Sequence, residues 1–127
     1  MQKYQINGRD YTCPLQLSLN VTLGKWKGII IWVLVYDTKV IRYSELKKKI
    51  DEVEKVTDRM LIRSLKELED DGLIERKAYP VVPPKVEYKL TKAGLRLKPV
   101  IDALERFGEA YEVKNSMTVV PYNPCFV

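Results

Sequence analysis

Two arginines spaced one helical turn apart, Arg59 and Arg63, carry the side chains in this sequence that are best suited to specific recognition. A guanidinium group can donate two hydrogen bonds at once to a guanine edge in the major groove of a duplex. Thr57, Ile62 and Lys66 lie near the same side of the predicted helix, and we expect Thr57 and Lys66 to hold phosphates. These five residues therefore form a candidate DNA-facing surface.

The same helix face has a second interpretation that needs no ligand. Exposed cations on a helix commonly pair with carboxylates one turn away, and Glu67 and Asp70 occupy such positions. Asp58, at the start of the helix, is expected to compensate the helix dipole rather than to contact a base. The predicted elements around the helix favour the nucleic-acid interpretation.

The helix that carries the arginines has recognisable start and stop signals. Thr57 is a favourable N-cap, and Gly72 of Asp71-Gly72 supplies a left-handed C-terminal cap. Its predicted core face consists of apolar residues at helical spacing: Met60, Leu61, Leu65 and Leu68. A shorter helix is predicted before it, with Ser44 as its N-cap, and residues 51–56 form the turn between the two helices.

Two strand-like segments, residues 73–79 and 85–90, follow this helix and flank a proline-rich stretch at residues 80–84. They predict a hairpin with a stiff tip, or wing. Arg76 and Lys85, together with Lys77, bracket the tip and are expected to contact the flanking groove or its phosphates. The order of these parts is that of a winged helix-turn-helix, which places one helix and one hairpin against a duplex.

Positive charge is concentrated in this part of the chain. Residues 39–66 contain nine basic and five acidic residues, whereas the whole sequence has a formal charge of +5. Lys47 and Lys48 belong to a run of three lysines on the first helix of the pair, and such a run is usually a solubilising surface. That helix crosses the DNA backbone in a helix-turn-helix, so phosphate contact by one or two of these lysines is the competing interpretation.

The remaining elements are predicted to be mainly helical. Apolar spacing after Pro14 gives a short amphipathic helix ending near Gly24, and residues 26–35 form a helix that is apolar all round and therefore central or shared with a partner. Residues 40–43 are strand-like. A last helical region after Thr91 has one apolar face and is expected to kink or restart at Pro99; the face comprises Leu97, Ile101, Leu104, Phe107 and Tyr111.

These elements indicate one mainly α domain with a small β-hairpin, an α+β winged helix-turn-helix over residues 1–114, and an extended or disordered tail at 115–127. The apolar share of 46% and the charged share of 31% are ordinary for a globular protein. With no signal peptide and no apolar run long enough to cross a membrane, we expect a cytoplasmic protein.

Several classes of function are disfavoured by the sequence. It contains no histidine, which excludes imidazole-based acid–base catalysis, and no paired nucleophile and base or phosphate-binding loop is recognisable. Its two cysteines, Cys13 and Cys125, do not form a CxxC pair, so a structural zinc site has no support. We therefore expect neither an enzyme nor a bound metal or cofactor.

The residues also resemble a known family, the HxlR-type winged helix-turn-helix regulators of bacteria and archaea. The resemblance covers roughly residues 13–108. Its marks are Cys13-Pro14, Gly24-Lys25-Trp26, Arg42-Tyr43-Ser44-Glu45-Leu46, Met60-Leu61, Leu65 to Ile74, Arg76, Tyr79, Pro83-Pro84, Val86-Glu87-Tyr88, Leu90-Thr91, Gly94, Leu97 and Pro99. The acidic stretch 51–56 and Phe107-Gly108 depart from the family pattern.

The resemblance implies a homodimer that binds inverted-repeat DNA and regulates transcription, with the N- and C-terminal helices forming the dimer interface. Some members respond to oxidants or electrophiles through a cysteine, and Cys13 lies at that position, near Arg9 at a helix start. The alternative is that Cys13 is a small apolar filler. A small-molecule effector is a further expectation.

Two alternatives concern other partners. Winged helices also serve as protein-interaction modules without specific DNA binding, in which the basic helix would meet an acidic partner. Large apolar residues of the terminal helices are suited either to lining a ligand cavity between subunits or to packing, and the packing interpretation is favoured; they are Trp26, Ile30, Trp32, Leu104 and Phe107.

Overall fold

The computed structural model describes residues 4–6, 8–11, 13–22, 24–37 and 40–114. Within these ranges, a short N-terminal hairpin precedes a helical domain with a small sheet. The elements in chain order are β1 (Tyr4–Ile6), β2 (Arg9–Tyr11), α1 (Pro14–Thr22), α2 (Lys25–Tyr36), β3 (Ile41–Arg42), α3 (Tyr43–Val53), α4 (Asp58–Asp70), β4 (Ile74–Tyr79), β5 (Lys85–Leu90), α5 (Lys92–Leu95) and α6 (Lys98–Lys114). The predicted winged helix-turn-helix order is confirmed.

Helix α2 lies at the centre of the domain, as its apolar sequence predicts. Its buried residues are Ile30, Ile31, Val33, Leu34 and Val35. It contacts α3, α4, α6 and β5, so its apolar residues pack against several elements of the domain. In the described part of the chain, no single helix is long and apolar enough to cross a bilayer; α1 and α2 together would reach that length, but they meet at 84°.

The turn between α3 and α4 differs from its predicted form. Helix α3 begins at Tyr43 with Arg42 in the N-cap position, so the prediction of Ser44 as the cap is wrong, and the helix continues to Val53. Asp51 of its last turn accepts hydrogen bonds from the backbone N–H of Val56 and from Lys47 Nζ, both at 3.0 Å. These bonds hold the pKa of Asp51 below its usual range and close the turn that aims α4.

The wing is the hairpin of β4 and β5, and its predicted boundaries are confirmed to within a residue. The two strands pair from Ile74 with Leu90 to Tyr79 with Lys85, and the Val82–Pro83 peptide bond in the tip is cis. The short strand β3 pairs with β5 and completes a three-stranded antiparallel sheet in the order β3-β5-β4. The sheet extends the wing to the start of α3.

The base of the wing is joined closely to the C-terminal helices. Gly72 adopts a φ of +78°, which supplies the predicted left-handed end of α4. Thr91 Oγ1 donates to the Gly72 carbonyl at 2.6 Å and accepts from the Gly94 N–H at 3.1 Å. A β-carbon added to Gly94 would clash with the Leu73 carbonyl oxygen, so only glycine fits at this contact.

The terminal helices leave apolar residues uncovered. Helix α1 has no buried residue, and Leu15 is 66% exposed. Helix α6 restarts at Lys98, beside Pro99, and buries Ile101, but Phe107 is 68% exposed. The residues of the α6 face that remain exposed are Leu104, Phe107 and Tyr111. Of the residues for which packing was favoured over lining a ligand cavity, Ile30 is buried and Trp26 and Trp32 pack against the core, whereas Leu104 and Phe107 do not pack within the described chain, and their packing at an interface stays a prediction.

The N-terminal hairpin was not anticipated from the sequence. Its strands pair from Tyr4 with Tyr11 to Ile6 with Arg9, around Gly8 at a φ of +75°. The predicted tail at 115–127, including Cys125, lies outside the described residues.

Candidate nucleic-acid interface

One side of α4 is buried and the other is free for contact. Leu61, Leu65 and Leu68 are fully or almost fully buried, which fixes the rotation of the helix about its axis. Thr57 Oγ1 accepts a hydrogen bond from the Met60 N–H at 3.2 Å and so acts as the predicted N-cap. Met60 itself is 40% exposed, and its assignment to the core was wrong.

The predicted contact residues of α4 all lie on its exposed side: Thr57, Arg59, Ile62, Arg63 and Lys66. They occupy successive turns, so the arginines at positions 59 and 63 project from the same face with Ile62, which is 52% exposed, beside them. This places two guanidinium groups, an apolar side chain and a lysine on one surface.

The two downstream cations of this face also pair within the helix. Arg63 Nε lies 3.5 Å from Glu67 Oε1, and Lys66 Nζ lies 3.7 Å from Asp70 Oδ1. Both pairs have the one-turn spacing expected if these cations serve only to pair with carboxylates of their own helix. The Arg63 and Lys66 side chains remain 73% exposed, so these pairs are weak and leave the cations accessible to another partner.

The start of α4 is fastened to the start of α3. The hydroxyl of Tyr43 donates a hydrogen bond to Asp58 Oδ1 at 2.5 Å. Burial, reinforced by this bond to a carboxylate, raises the pKa of Tyr43 far above its usual value. Asp58 thus has a partner on another helix, which the sequence interpretation as a dipole-compensating residue did not include.

The three lysines of the run on α3 differ in their contacts. Lys47 pairs with Asp51, and Lys49 Nζ lies 2.9 Å from Asp37 Oδ2. Lys48 is exposed. Of the two lysines predicted to reach a phosphate, Lys48 is therefore the more accessible, whereas Lys47 helps to close the turn through Asp51.

The wing carries its cations on two different faces. Lys77 and Lys85 both lie over the Tyr79 ring, with Nζ 4.9 and 4.6 Å from its centroid. Arg76 projects from the other face, where it hydrogen-bonds Tyr88. The structure therefore groups Lys85 with Lys77 near the tip and separates Arg76 from them.

Tyr79 was not singled out as a site residue from the sequence. The signal was present, because alternation along β4 and the pairing of residue 79 with residue 85 put one aromatic ring and two lysines on the same face. Tyr79, Lys77 and Lys85 form the basic cluster of the wing near its tip, and Glu87 Oε1 on the same face lies 4.0 Å from Lys85 Nζ.

A second residue missed by sequence reasoning is Lys27 of α2. Its Nζ lies 3.0 Å from Glu67 Oε2, and its side chain is only 12% exposed. The hydrogen bond from Lys27 lowers the pKa of Glu67 and keeps that carboxylate charged. Helical periodicity places Lys27 near the start of an apolar helix. It does not indicate which residue of another helix Lys27 meets, so the contact with Glu67 of α4 could not be predicted from the sequence.

Cys13 is exposed immediately before α1, and its Sγ accepts a hydrogen bond from the Gln16 N–H at 3.3 Å. It does not fill a cavity in the core, so the structural alternative of a small apolar filler does not describe it. Its neighbour on α1, Leu15, is exposed as well.

Comparison with known proteins gives concordant results. A sequence model described as HxlR-like helix-turn-helix matches residues 21–116. The uncharacterized HTH-type transcriptional regulator YdeP of Bacillus subtilis (strain 168) is 45% identical over 111 residues, which cover 83% of each chain. An uncharacterized HTH-type transcriptional regulator of Methanothermobacter thermautotrophicus is 44% identical over 102 residues, covering 80% of this chain and 74% of that protein.

A solved structure is similarly close. The redox regulator HypR in its reduced form superposes with a TM-score of 0.71 at 38% sequence identity. The alignment covers 82% of this chain and 99% of the HypR chain. The sequence and fold comparisons thus each cover about four fifths of the chain.

Proposed function

Because the chain belongs to the HxlR-like helix-turn-helix family, we propose that it is a DNA-binding transcriptional regulator that acts in the cytoplasm as a homodimer on inverted-repeat operators. Helix α4 enters the major groove, where Arg59 and Arg63 contact base edges and Ile62 contacts an apolar group. Thr57, Lys66 and Lys48 hold phosphates, with Lys47 at the edge of the contact.

The exposed side of α4 is the observation that supports this proposal most directly. Its opposite side is locked into the core by Leu61, Leu65 and Leu68, so the arginine face cannot turn inward. The basic cluster of the wing extends the cationic surface, and Lys85 contacts the flanking phosphates, with Arg76 a more distant contributor. A groove-reading helix and a lateral hairpin are the two contacts of a winged helix with a duplex.

Replacement of the two arginines tests this assignment. The Arg59→Ala/Arg63→Ala variant is expected to lose specific binding to a duplex that the wild-type chain selects from a random-sequence library. The Lys92→Ala/Arg96→Ala variant is the matched control, because it removes the same charge from exposed positions on and just after α5. Equal affinity of the two variants for that duplex would refute the placement of α4 in the groove.

The competing function is a winged helix that binds an acidic protein. Salt titration separates the two, since release of counterions from DNA makes the logarithm of the binding constant fall linearly with the logarithm of salt concentration. We expect a steep fall with duplex DNA. Absence of duplex binding even at low salt would favour the protein-interaction module.

The homodimer is supported by the uncovered apolar residues on α1 and α6. Leu15, Leu104 and Phe107 are each more than half exposed, and two copies packing these helices together would remove that surface from water. A twofold axis through such an interface relates two α4 helices, which then address half-sites roughly 34–36 Å apart. Dimerisation thus converts a single groove contact into recognition of an inverted repeat.

We also propose that oxidants or electrophiles act on the regulator through Cys13. The support is its exposure at the start of α1, beside the surface proposed to dimerise, and the similarity of the chain to the redox regulator HypR. Operator release on treatment with diamide should occur with the wild type and not with Cys13→Ser. Equal release from both proteins would show that Cys13 does not have this role. A small-molecule effector would then be the remaining hypothesis.

A further inference from the structure

Glu67 lies between two cations that belong to different helices. Its Oε2 is 3.0 Å from Nζ of Lys27 on α2, and its Oε1 is 3.5 Å from Nε of Arg63 on α4. One carboxylate therefore faces both a residue of the central helix and a residue of the proposed DNA-reading face.

The two pairs differ in their contact with solvent. The Lys27 side chain is 12% exposed, whereas the Arg63 side chain is 73% exposed. Charges screened less by water attract each other more strongly at a given separation, and the Lys27 pair is also the shorter one. Consistent with this, the hydrogen bond from Lys27 is the main cause of the lowered pKa of Glu67. Lys27 is thus the stronger of the two partners of Glu67, and Arg63 is held more loosely.

We propose that Lys27 is a positioning residue for DNA binding, which acts by occupying Glu67 so that Arg63 is free to reach a base edge. The inference rests on the proposed function, because DNA is the partner to which Arg63 is released. Lys27 needs no contact with DNA itself. Without it, Glu67 would draw Arg63 back along α4.

The chain provides a matched control on the same helix. Lys25 pairs with Glu54, and the side chains of this pair are 58% and 48% exposed. Lys25→Met therefore removes the same charge as Lys27→Met from a position two residues away, but it does not alter the partner of Arg63. A general electrostatic effect would make the two variants alike.

The first experiment needs no DNA. The Nε–H resonance of Arg63 in the free protein, assigned by its loss in Arg63→Ala, reports the bond to Glu67. We expect a downfield shift in Lys27→Met, an upfield shift in Glu67→Gln, and wild-type positions in Lys25→Met and Lys27→Arg. An unchanged resonance in Lys27→Met overturns the proposal. If that variant is not folded, Lys27→Gln, which removes the charge but keeps a polar side chain, takes its place and is judged by the same expected shift.

The second experiment measures affinity for a fluorescein-labelled duplex that the wild-type protein selects from a random-sequence library. Lys27→Met should bind about three- to tenfold more weakly, and Lys25→Met within about twofold of wild type. Glu67→Gln should restore binding in the Lys27→Met background and change wild-type binding by less than about twofold. In an Arg63→Ala background, Lys27→Met should cost no more than Lys25→Met does.

Two affinity results would overturn the proposal: equal losses in Lys27→Met and Lys25→Met, or an equal gain from Glu67→Gln in both backgrounds. A third result is distinct. If the Arg63 resonance responds as expected but the wild-type chain selects no duplex, the proposed function and the role of Lys27 in DNA binding both fail, while the contact between the three side chains stands.

Discussion

The hydroxyl of Tyr43 donates a hydrogen bond to Asp58 Oδ1, and this bond ties the first residue of α3 to the first residue of α4. The N-terminal ends of the two helices of the helix-turn-helix are thus held together. The bond also directs the Asp58 carboxylate towards α3. We therefore expect Asp58 to support the start of α4 rather than to contact bases.

Tyr43→Phe should remove this bond while keeping the ring in place. We expect the free energy of unfolding in urea to fall by about 0.5–1.5 kcal/mol, the usual net value of one hydrogen bond. Affinity for the selected duplex should fall as well, since the start of α4 becomes less firmly held. In an Asp58→Ala background the same substitution should cost little further; an undiminished cost there would show that the bond is not what stabilises the wild type.

Gly94→Ala should destabilise the domain, because its β-carbon would clash with the Leu73 carbonyl oxygen. Overpacking of this kind costs about 1–3 kcal/mol, which urea unfolding monitored by tryptophan fluorescence can measure. Gly28→Ala, also inside a helix but with open space around the added carbon, is the control and should be neutral or slightly stabilising. Equal losses in the two variants would contradict the close approach at Gly94.

Phe107→Glu should convert the proposed dimer into a folded monomer, since it places a charge in the apolar face of α6. Sedimentation equilibrium gives the mass, and circular dichroism verifies the fold. Val82→Glu is the matched control, because Val82 is 99% exposed at the wing tip and does not belong to the apolar face of α6. A wild-type chain that sediments as a monomer would refute the interface.

The stability of the domain should fall at alkaline pH through Tyr36. Its hydroxyl donates to Asp102 and Glu105 at 3.1 Å, and burial together with these bonds raises the pKa of Tyr36 from 10.0 to about 12. The folded state then holds the phenolic proton more tightly than the unfolded state, so this contribution is complete below the unfolded pKa and is lost between pH 10 and about 12.

The measurement for Tyr36 is urea unfolding as a function of pH. Tyr36→Phe should show a shallower decline than the wild type over that interval, while the two proteins remain parallel below about pH 9. Tyr43 and Tyr88, whose pKa values are also raised, leave some decline in both proteins. Identical slopes would mean that α2 and α6 are not joined through this phenol.

The sequence was sufficient to predict the parts of the site that lie on one element. Helical spacing alone put Arg59 and Arg63 opposite the core residues of α4, and the prolines between two strand-like runs marked the wing. The limits of α3 were harder, because β3 continues directly into it and the helix starts one residue before Ser44. The N-terminal hairpin was missed because three-residue strands are too short to show an alternating pattern.

Contacts between elements could not be predicted in this way. Periodicity assigns a residue to a face of its own helix but does not say which residue of a distant helix it meets. The bonds from Tyr43 to Asp58 and from Lys27 to Glu67 depend on how three helices cross, which the apolar pattern of a single chain does not specify. The exposed half of the α6 face is the same kind of case, since its apolar residues look identical in sequence whether they pack inside the chain or against another copy.

The contact of Gly94 with the Leu73 carbonyl packs the base of the hairpin closely against the start of the C-terminal helices. Backbone bonds from Leu97 to Gly94 and from Ile101 to Leu97 continue that junction directly into α6. We therefore expect a tilt of α6 against a second copy to be passed on to the hairpin. In the proposed dimer, the packing of the C-terminal helices against one another would then help to set the distance between the two hairpins, and with it the spacing of the half-sites that the dimer binds.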